Sequence, residues 1–149
     1  MRAARISAAI LGALALTHAA PAQAAAAPAG VVTLPGLQYR ILSSGPADGA
    51  HPSRGDDVTV RYVGQFQDGK VFGSSPDNGA GTEVFPLQKL IPGWIAALQL
   101  MRPGDVWMLY VPAYLAYGAP GKPPYIPPDS PLVFRVELVS TALHVETAP

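Results

Sequence analysis

Three segments of the chain alternate between apolar and polar residues with a period of two. Their apolar positions are Leu37, Tyr39 and Ile41 in the first, Val58, Val60, Tyr62 and Phe66 in the second, and Leu132, Phe134, Val136 and Leu138 in the third. Such alternation is typical of antiparallel strands with one face on a core and the other in solvent. Residues 105–111 are apolar on both faces, which predicts a strand inside the sheet. Asp68-Gly69 predicts a hairpin turn between Phe66 and Phe72.

The segment 92–101 is the only good helix candidate. Pro92 suits a first helical turn, and every residue from Trp94 to Met101 except Gln99 is apolar. A helix of two apolar turns is unstable alone in water, and a helix that is apolar all round is normally buried. We therefore predict an α+β fold, in which a curved antiparallel sheet of about five strands wraps around this one short α-helix.

The N-terminal part of the chain has the pattern of a secretory signal peptide. Arg2 and Arg5 precede the apolar run 6–16, and Ala22-Gln23-Ala24 has the small residues of a cleavage site. The apolar run is shorter than the roughly 20 residues that a spanning helix needs, although an uncleaved anchor is the alternative. We expect four parts, namely a signal peptide (1–24), a flexible Ala/Pro linker (25–33), one domain (34–141) and a C-terminal tail (142–149).

Charge and reactive side chains exclude several classes of function. Loss of Arg2 and Arg5 with the signal leaves eight basic and ten acidic residues, so the basic surface of a nucleic-acid-binding protein is not expected. The chain has no cysteine and therefore neither a thiol nucleophile nor a Cys-containing metal site. His51 and His144 have no catalytic partner nearby in sequence. The glycine-rich segment 77–83 lacks the lysine of a phosphate-binding loop, and no carboxylate pair stands out.

Four motifs of the chain occur in the order seen in the FKBP-type peptidyl-prolyl isomerases, which the sequence resembles over residues 34–141. They read "VTVRYVGQFQDGKVFGSS", "FPLQKLIPGWIAALQLMRPGD", "LAYG" and "IPPDSPLVFRVELV". The resemblance implies a curved sheet around a short helix, in agreement with the hydrophobic pattern. It also implies an enzyme that accelerates X–Pro bond rotation without a cofactor or metal.

In this family the prolyl ring of the substrate enters an apolar pocket between the helix and the sheet. The motif match implies that Trp94 forms the floor, that the Tyr117 hydroxyl bonds the peptide, and that the backbone N–H of Ile91 bonds a ligand carbonyl. The full set of implied binding residues is Tyr62, Phe72, Leu90, Ile91, Trp94, Tyr117, Tyr125, Ile126 and Phe134. Taken singly, each of these apolar residues is more typical of a core position than of a site.

The rim of the implied pocket departs from the family pattern. Gly73 stands where aspartate is usual, Glu83 where an aromatic residue is common, Lys89 where some members have an acid, and Tyr125 where a smaller aliphatic residue is common. Three hypotheses therefore remain. The first is an exported, monomeric isomerase, most simply periplasmic, that acts on proline-containing polypeptides and binds macrolide inhibitors, without nucleic acid or membrane. The second is a proline-binding module or chaperone with weak isomerase activity. The third is an interaction protein whose pocket is filled by its own side chains.

Overall fold

A computed structural model of the protein describes residues 31–34 and 36–145, with side chains from Gly36 onward. The strands are β1 (Val31–Leu34), β2 (Leu37–Ser43), β3 (Asp56–Phe66), β4 (Val71–Ser74), β5 (Glu83–Pro86), β6 (Val106–Val111) and β7 (Leu132–Leu143), and the helix is α1 (Pro92–Leu98). The predicted signal peptide lies outside the described residues. The strand β1 begins within the predicted linker range 25–33, and β7 runs two residues past position 141. No helix in the described part is long and apolar enough to cross a membrane.

All seven strands belong to one antiparallel sheet in the order β1-β2-β6-β7-β3-β4, and β5 also pairs with β3. The predicted α+β class is therefore confirmed, and β6 lies inside the sheet as its two apolar faces predict. The longest pairing joins β3 to β7, from Asp56 opposite Leu143 to Phe66 opposite Leu132. The register shifts between Thr59 and Val60 in this pairing, and such bulges bend and twist a strand.

The apolar face of the sheet forms the core, as the alternation predicts. Val58, Val60, Leu132, Phe134, Val136 and Leu138 are all buried. Ile41 is an exception, with 46% of its surface exposed. It lies at the end of β2, where the register with β6 breaks before Ser43. The Asp68-Gly69 turn is confirmed, because the Gly69 N–H donates to the Phe66 carbonyl at 2.9 Å.

The helix α1 packs on this face through one side only. Trp94, Ala97, Leu98 and Met101 are buried, at the spacing of one helical face. Leu100 is 43% exposed, so the expectation that the whole segment 92–101 is enclosed is wrong for its outer side. The sheet covers α1 from one side, and the helix ends at Leu98.

The first turn of α1 lies unusually close to β6. A Cβ atom added to Gly93 would stand 2.6 Å from Val111 Cγ1, which is closer than two carbon atoms can pack. Glycine at this position therefore lets the helix start against the sheet. The close approach brings Trp94, the next residue, over the apolar face.

We expect Trp94→Ala to lower the free energy of unfolding by about 3–5 kcal/mol, because it removes a large side chain that is 4% exposed. Urea unfolding followed by circular dichroism measures the change. Leu100→Ala is the matched control on the exposed side of the same segment and should cost less than about 1 kcal/mol. A loss below about 1 kcal/mol for Trp94→Ala would contradict the role of the indole in the core.

Candidate functional site

A cavity of about 410 Å³ opens between α1 and the apolar face of the sheet. It is lined by Tyr62, Phe72, Gly73, Phe85, Lys89, Leu90, Ile91, Trp94, Tyr117, Lys122, Tyr125, Ile126 and Phe134. All nine residues of the predicted binding set are among them, although they lie as far apart in sequence as positions 62 and 134. The volume falls in the range of small-ligand sites, which is roughly 300–1,000 Å³.

The floor of the cavity is the indole of Trp94. Its ring meets Tyr62 at a centroid distance of 5.3 Å and Phe134 at 5.2 Å, both edge to face at 83°. Phe85 makes a third edge-to-face contact at 6.4 Å. In this arrangement the electron-poor edge of one ring faces the electron-rich face of another, which is favourable for aromatic pairs. The Nε1–H of Trp94 is buried and has no hydrogen-bond partner among the described residues.

One wall of the cavity depends on the small size of Gly64. Phe72 from β4 and Phe134 from β7 meet at 5.6 Å and 90°. A Cβ atom added to Gly64 would stand 2.7 Å from Phe72 and 2.9 Å from Phe134. Gly73, its register partner across β3 and β4, has no atom within 4 Å of the equivalent Cβ position. Gly64 therefore makes room for Phe72 and Phe134, and Gly73 leaves open space at the rim.

Tyr62 is held in place through its backbone by a buried serine. Its N–H donates to Ser75 Oγ at 3.1 Å, and the Ser75 N–H donates to the Tyr62 carbonyl at 3.0 Å. Ser75 is only 1% exposed, so water competes little for these bonds. The serine that follows "FGS" in the motif thus supports a pocket residue rather than facing the cavity itself.

An acidic side chain stands near Tyr62 even though Gly73 carries none. Glu83 pairs with Val60 in the β3–β5 register, which places it on the same face of the sheet as Tyr62. Burial raises the pKa of the Tyr62 phenol above its ordinary value, and the negative charge of Glu83 raises it further. This region therefore has a carboxylate nearby although position 73 lacks the usual aspartate.

The N-terminal end of α1 includes a backbone donor at Ile91 that has no partner among the residues that the structure describes. The Ile91 carbonyl accepts from the N–H groups of Trp94 and Ile95, at 3.0 and 3.1 Å. The Ile91 N–H itself makes no hydrogen bond to any residue in the described part of the chain. Pro92, the next residue, has no N–H to compete with it.

The loop between Tyr117 and β7 closes the other side of the cavity. Lys122 and Ile126 exchange two backbone hydrogen bonds, of 2.8 and 2.9 Å. This pairing turns Ile126 inward, where it is 3% exposed, and leaves Tyr125 69% exposed at the mouth. Tyr125 is therefore a rim residue, whereas Ile126 is part of the apolar wall.

Four lining residues are absent from the predicted binding set, namely Gly73, Phe85, Lys89 and Lys122. The sequence singled out Gly73 and Lys89 only as departures at the rim, and it did not single out Phe85 or Lys122. The alternation along β5 could have predicted Phe85. Glu83 and Phe85 lie on one face of this strand, and Val84, which is 60% exposed, lies on the other. Lys122 has no such signal, because it lies in an irregular loop. Its Nζ lies 5.3 Å from the centre of the Tyr117 ring, within reach of a cation–π contact.

His51 and His144 lie outside this cavity. His144 Nδ1 is 2.7 Å from Asp57 Oδ1, and His51 Nδ1 is 3.0 Å from the Met101 carbonyl. Between Val31 and Val145, no three His, Asp or Glu side chains come together as a metal site would require. A second cavity of about 340 Å³ lies against Tyr110, Tyr114 and Val133, away from α1.

Comparison with known proteins agrees with this geometry. The model of the FKBP-type peptidyl-prolyl cis-trans isomerase family matches residues 49–139. Peptidyl-prolyl cis-trans isomerase Mip of Coxiella burnetii is 46% identical over 112 residues, which cover 74% of this chain and 47% of that protein. The FKBP-type 22 kDa peptidyl-prolyl cis-trans isomerase of Escherichia coli is 50% identical over 104 residues, which cover 70% of this chain and 49% of that protein.

A solved structure shows the same fold. The crystal structure of a peptidyl-prolyl cis-trans isomerase from Pseudomonas syringae pv. tomato superimposes with a TM-score of 0.71 at 40% identity, covering 78% of this chain and 84% of that one. The sheet, the helix and the aromatic cavity define a prolyl-isomerase-like domain. The chain belongs to the FKBP-type peptidyl-prolyl cis-trans isomerase family. It spans about half the length of the curated relatives described above.

We expect Gly64→Ala to destabilise the protein by about 1–3 kcal/mol and to weaken binding of a prolyl peptide, because the new methyl group displaces Phe72 and Phe134. Gly73→Ala is the matched control, since its methyl group enters open space, and should change stability by less than about 0.5 kcal/mol. Urea unfolding and peptide titration measure both effects. Equal behaviour of the two variants would contradict the packing of the wall.

We also expect the stability of the protein to fall as the pH rises above about 10, because the pKa of Tyr62 is raised from an ordinary value of 10.0. In that range the unfolded phenol loses its proton while the folded one keeps it, so ionisation favours the unfolded state. Unfolding midpoints between pH 8 and 11 should decline less steeply in Tyr62→Phe. An identical pH slope in both proteins would overturn the assignment.

Proposed function

We propose that this protein is an exported peptidyl-prolyl cis-trans isomerase that accelerates rotation about X–Pro bonds in folding polypeptides. The observation that carries the proposal is the aromatic cavity floored by Trp94, with the unpartnered Ile91 N–H at its edge. Membership of the FKBP-type family supports it. The two curated relatives described above are both named for this activity. This chain covers about half the length of each.

Rotation about an X–Pro bond needs no covalent chemistry. The barrier of ~18–20 kcal/mol arises from amide resonance, and the uncatalysed reaction takes tens to hundreds of seconds. Resonance places negative charge on the carbonyl oxygen, and water stabilises that planar form. The twisted transition state has lost the resonance and is less polar. An apolar cavity therefore destabilises the planar ground state more than it destabilises the transition state. Only such a difference between the two states accelerates a reaction.

Desolvation alone supplies part of the required effect. Removal of a carbonyl from water costs roughly 1–3 kcal/mol, whereas a thousandfold acceleration needs about 4 kcal/mol. The remainder comes from holding the residues that flank the proline in a turn. The Ile91 N–H and the Tyr117 hydroxyl are suited to this, because both lie at the cavity and neither bonds to another described residue.

The catalytic roles follow from these positions. Trp94 supports the prolyl ring from below, Ile91 donates to a carbonyl of the bound peptide, and Tyr117 positions the chain beside the proline. The other members of the binding set supply the apolar surround, namely Tyr62, Phe72, Leu90, Tyr125, Ile126 and Phe134. No metal or cofactor takes part in this scheme. A macrolide that presents a ring and a carbonyl to the same groups would compete with the peptide.

The comparisons favour this function over a proline-binding module that turns over poorly. That alternative rests on the glycine at position 73. Glu83 supplies a carboxylate on the same face of the sheet as Tyr62. The missing acid at position 73 is therefore a weaker argument for poor turnover. The third hypothesis required a pocket filled by its own side chains, and a cavity of about 410 Å³ does not fit it.

Export is the part of the proposal that rests on residues 1–24, which lie outside the described structure. Their basic start, apolar run and small residues have the order of a secretory signal. A relative from Legionella longbeachae, 45% identical over 112 residues, bears the name outer membrane protein MIP. The periplasm is the simplest destination, and a monomer is the simplest state for one domain of this size.

We expect the purified protein to accelerate cis–trans relaxation of an X–Pro peptide, and Tyr117→Phe to lower kcat/KM about threefold to tenfold by removing one hydrogen bond. Its unfolding free energy should change by less than about 0.5 kcal/mol. Tyr114→Phe is the matched control, at a 67% exposed tyrosine that lines the second cavity instead, and should leave kcat/KM unchanged. Absence of acceleration by the unmodified protein would overturn the function. If Tyr117→Phe lowered the free energy of unfolding by as much as it raised the activation free energy, Tyr117 would be assigned to the core.

A further inference from the structure

The rim of the cavity carries a charge pattern that its apolar floor does not explain. The chain has three lysines, and two of them, Lys89 and Lys122, line the cavity. No aspartate or glutamate is among the lining residues. The two lysines lie on separate segments, one just before α1 and the other in the loop that precedes β7. Their positive charges are therefore brought together by the fold.

Neither lysine is neutralised by the described part of the protein. The ion pairs among residues 36–145 are Arg61–Glu137 and Asp57–His144, and both lie outside the cavity lining. Lys122 Nζ instead lies over the Tyr117 ring, a contact that keeps its full charge at the mouth. Glu83, the nearby acid, acts on Tyr62 rather than pairing with either lysine. The residues that line the cavity thus carry two positive charges and no negative one, and the Glu83 carboxylate lies outside that lining.

We propose that Lys89 and Lys122 make the site select proline segments with an acidic residue directly before or after the proline. The inference rests on the proposed function and names its substrate class. While the prolyl ring occupies the apolar floor, the side chains of its neighbours lie at the mouth, where the two ammonium groups are. A carboxylate there gains attraction and a lysine meets repulsion, and charge complementarity of this kind sets partner choice more than overall affinity.

The size of the effect follows from the exposure of the two lysines. A solvent-exposed pair contributes little individually, equivalent to about 1.5-fold to fivefold in affinity. Two lysines should therefore favour glutamate over lysine by about threefold to tenfold in kcat/KM. Because the charges are exposed, the preference should shrink as the screening length falls from about 10 Å at 0.1 M salt to about 3 Å at 1 M.

The test measures kcat/KM of the full protein on two series of blocked tetrapeptides, with glutamate, glutamine or lysine placed before or after the proline. We expect the order glutamate, glutamine, lysine in at least one series at low salt. The ratio of glutamate to lysine should collapse in Lys89→Gln/Lys122→Gln and invert in Lys89→Glu/Lys122→Glu. The matched control, Arg54→Gln/Lys70→Gln, removes two exposed positive charges away from the cavity and should keep the ratio.

The outcomes separate this inference from the proposed function. Acceleration of the glutamine peptides with no difference between glutamate and lysine would overturn the selectivity and leave the isomerase intact. The same ratio in the unmodified protein and in Lys89→Gln/Lys122→Gln would also overturn it. A failure to accelerate any peptide would overturn the proposed function itself. Because the readout is a ratio within each variant, partial unfolding of a variant changes both rates alike.

Discussion

The contact between Trp94 and the rings of Tyr62 and Phe134 is the interaction on which the rest of the structure depends. The seven residues of α1 are too few to form a stable helix alone, so the helix exists because its tryptophan is buried against the sheet. The same indole is the floor of the cavity. Core and site therefore share atoms, and the floor is as rigid as the core that holds it.

A shared floor also explains why the cavity has a defined shape rather than being a loose groove. The Trp94 Nε1–H lacks a partner in the described part of the chain, a cost of roughly 1–3 kcal/mol that aromatic packing must offset. Gly64 contributes because it has no side chain. A Cβ atom at this position would displace Phe72 and Phe134. The shape of the site thus depends on the missing side chain at Gly64 as well as on the side chains that line the cavity.

The chemistry of the site is divided between its depth and its edge. The depth is aromatic and aliphatic, and in the proposed function it lowers a rotational barrier by excluding water. The edge includes Ile91, Tyr117 and the two lysines, which in the same proposal act on the polypeptide that flanks the proline. Such a division would let the charge of the edge change without altering the reaction. Differences at Gly73, Glu83 and Lys89 from the common family pattern all fall in this outer region.

Local patterns in the sequence were sufficient for the strands, the hairpin and the helix, because period-two alternation and a proline at a helix start act over neighbouring residues. The apolar faces of β3 and β7 are examples, and so is the start of α1 at Pro92. The nine predicted binding residues came from the family resemblance, and only the fold shows that they line one cavity. Sequence did not predict that Leu100 is exposed, since apolar composition alone does not say which side of a helix the sheet covers. Nor did it place Lys122 in the same cavity lining as Lys89, because Lys122 lies in an irregular loop that Ile126 anchors to the core. The elements were thus decided by near neighbours along the chain, and the charge of the rim by contacts between distant segments.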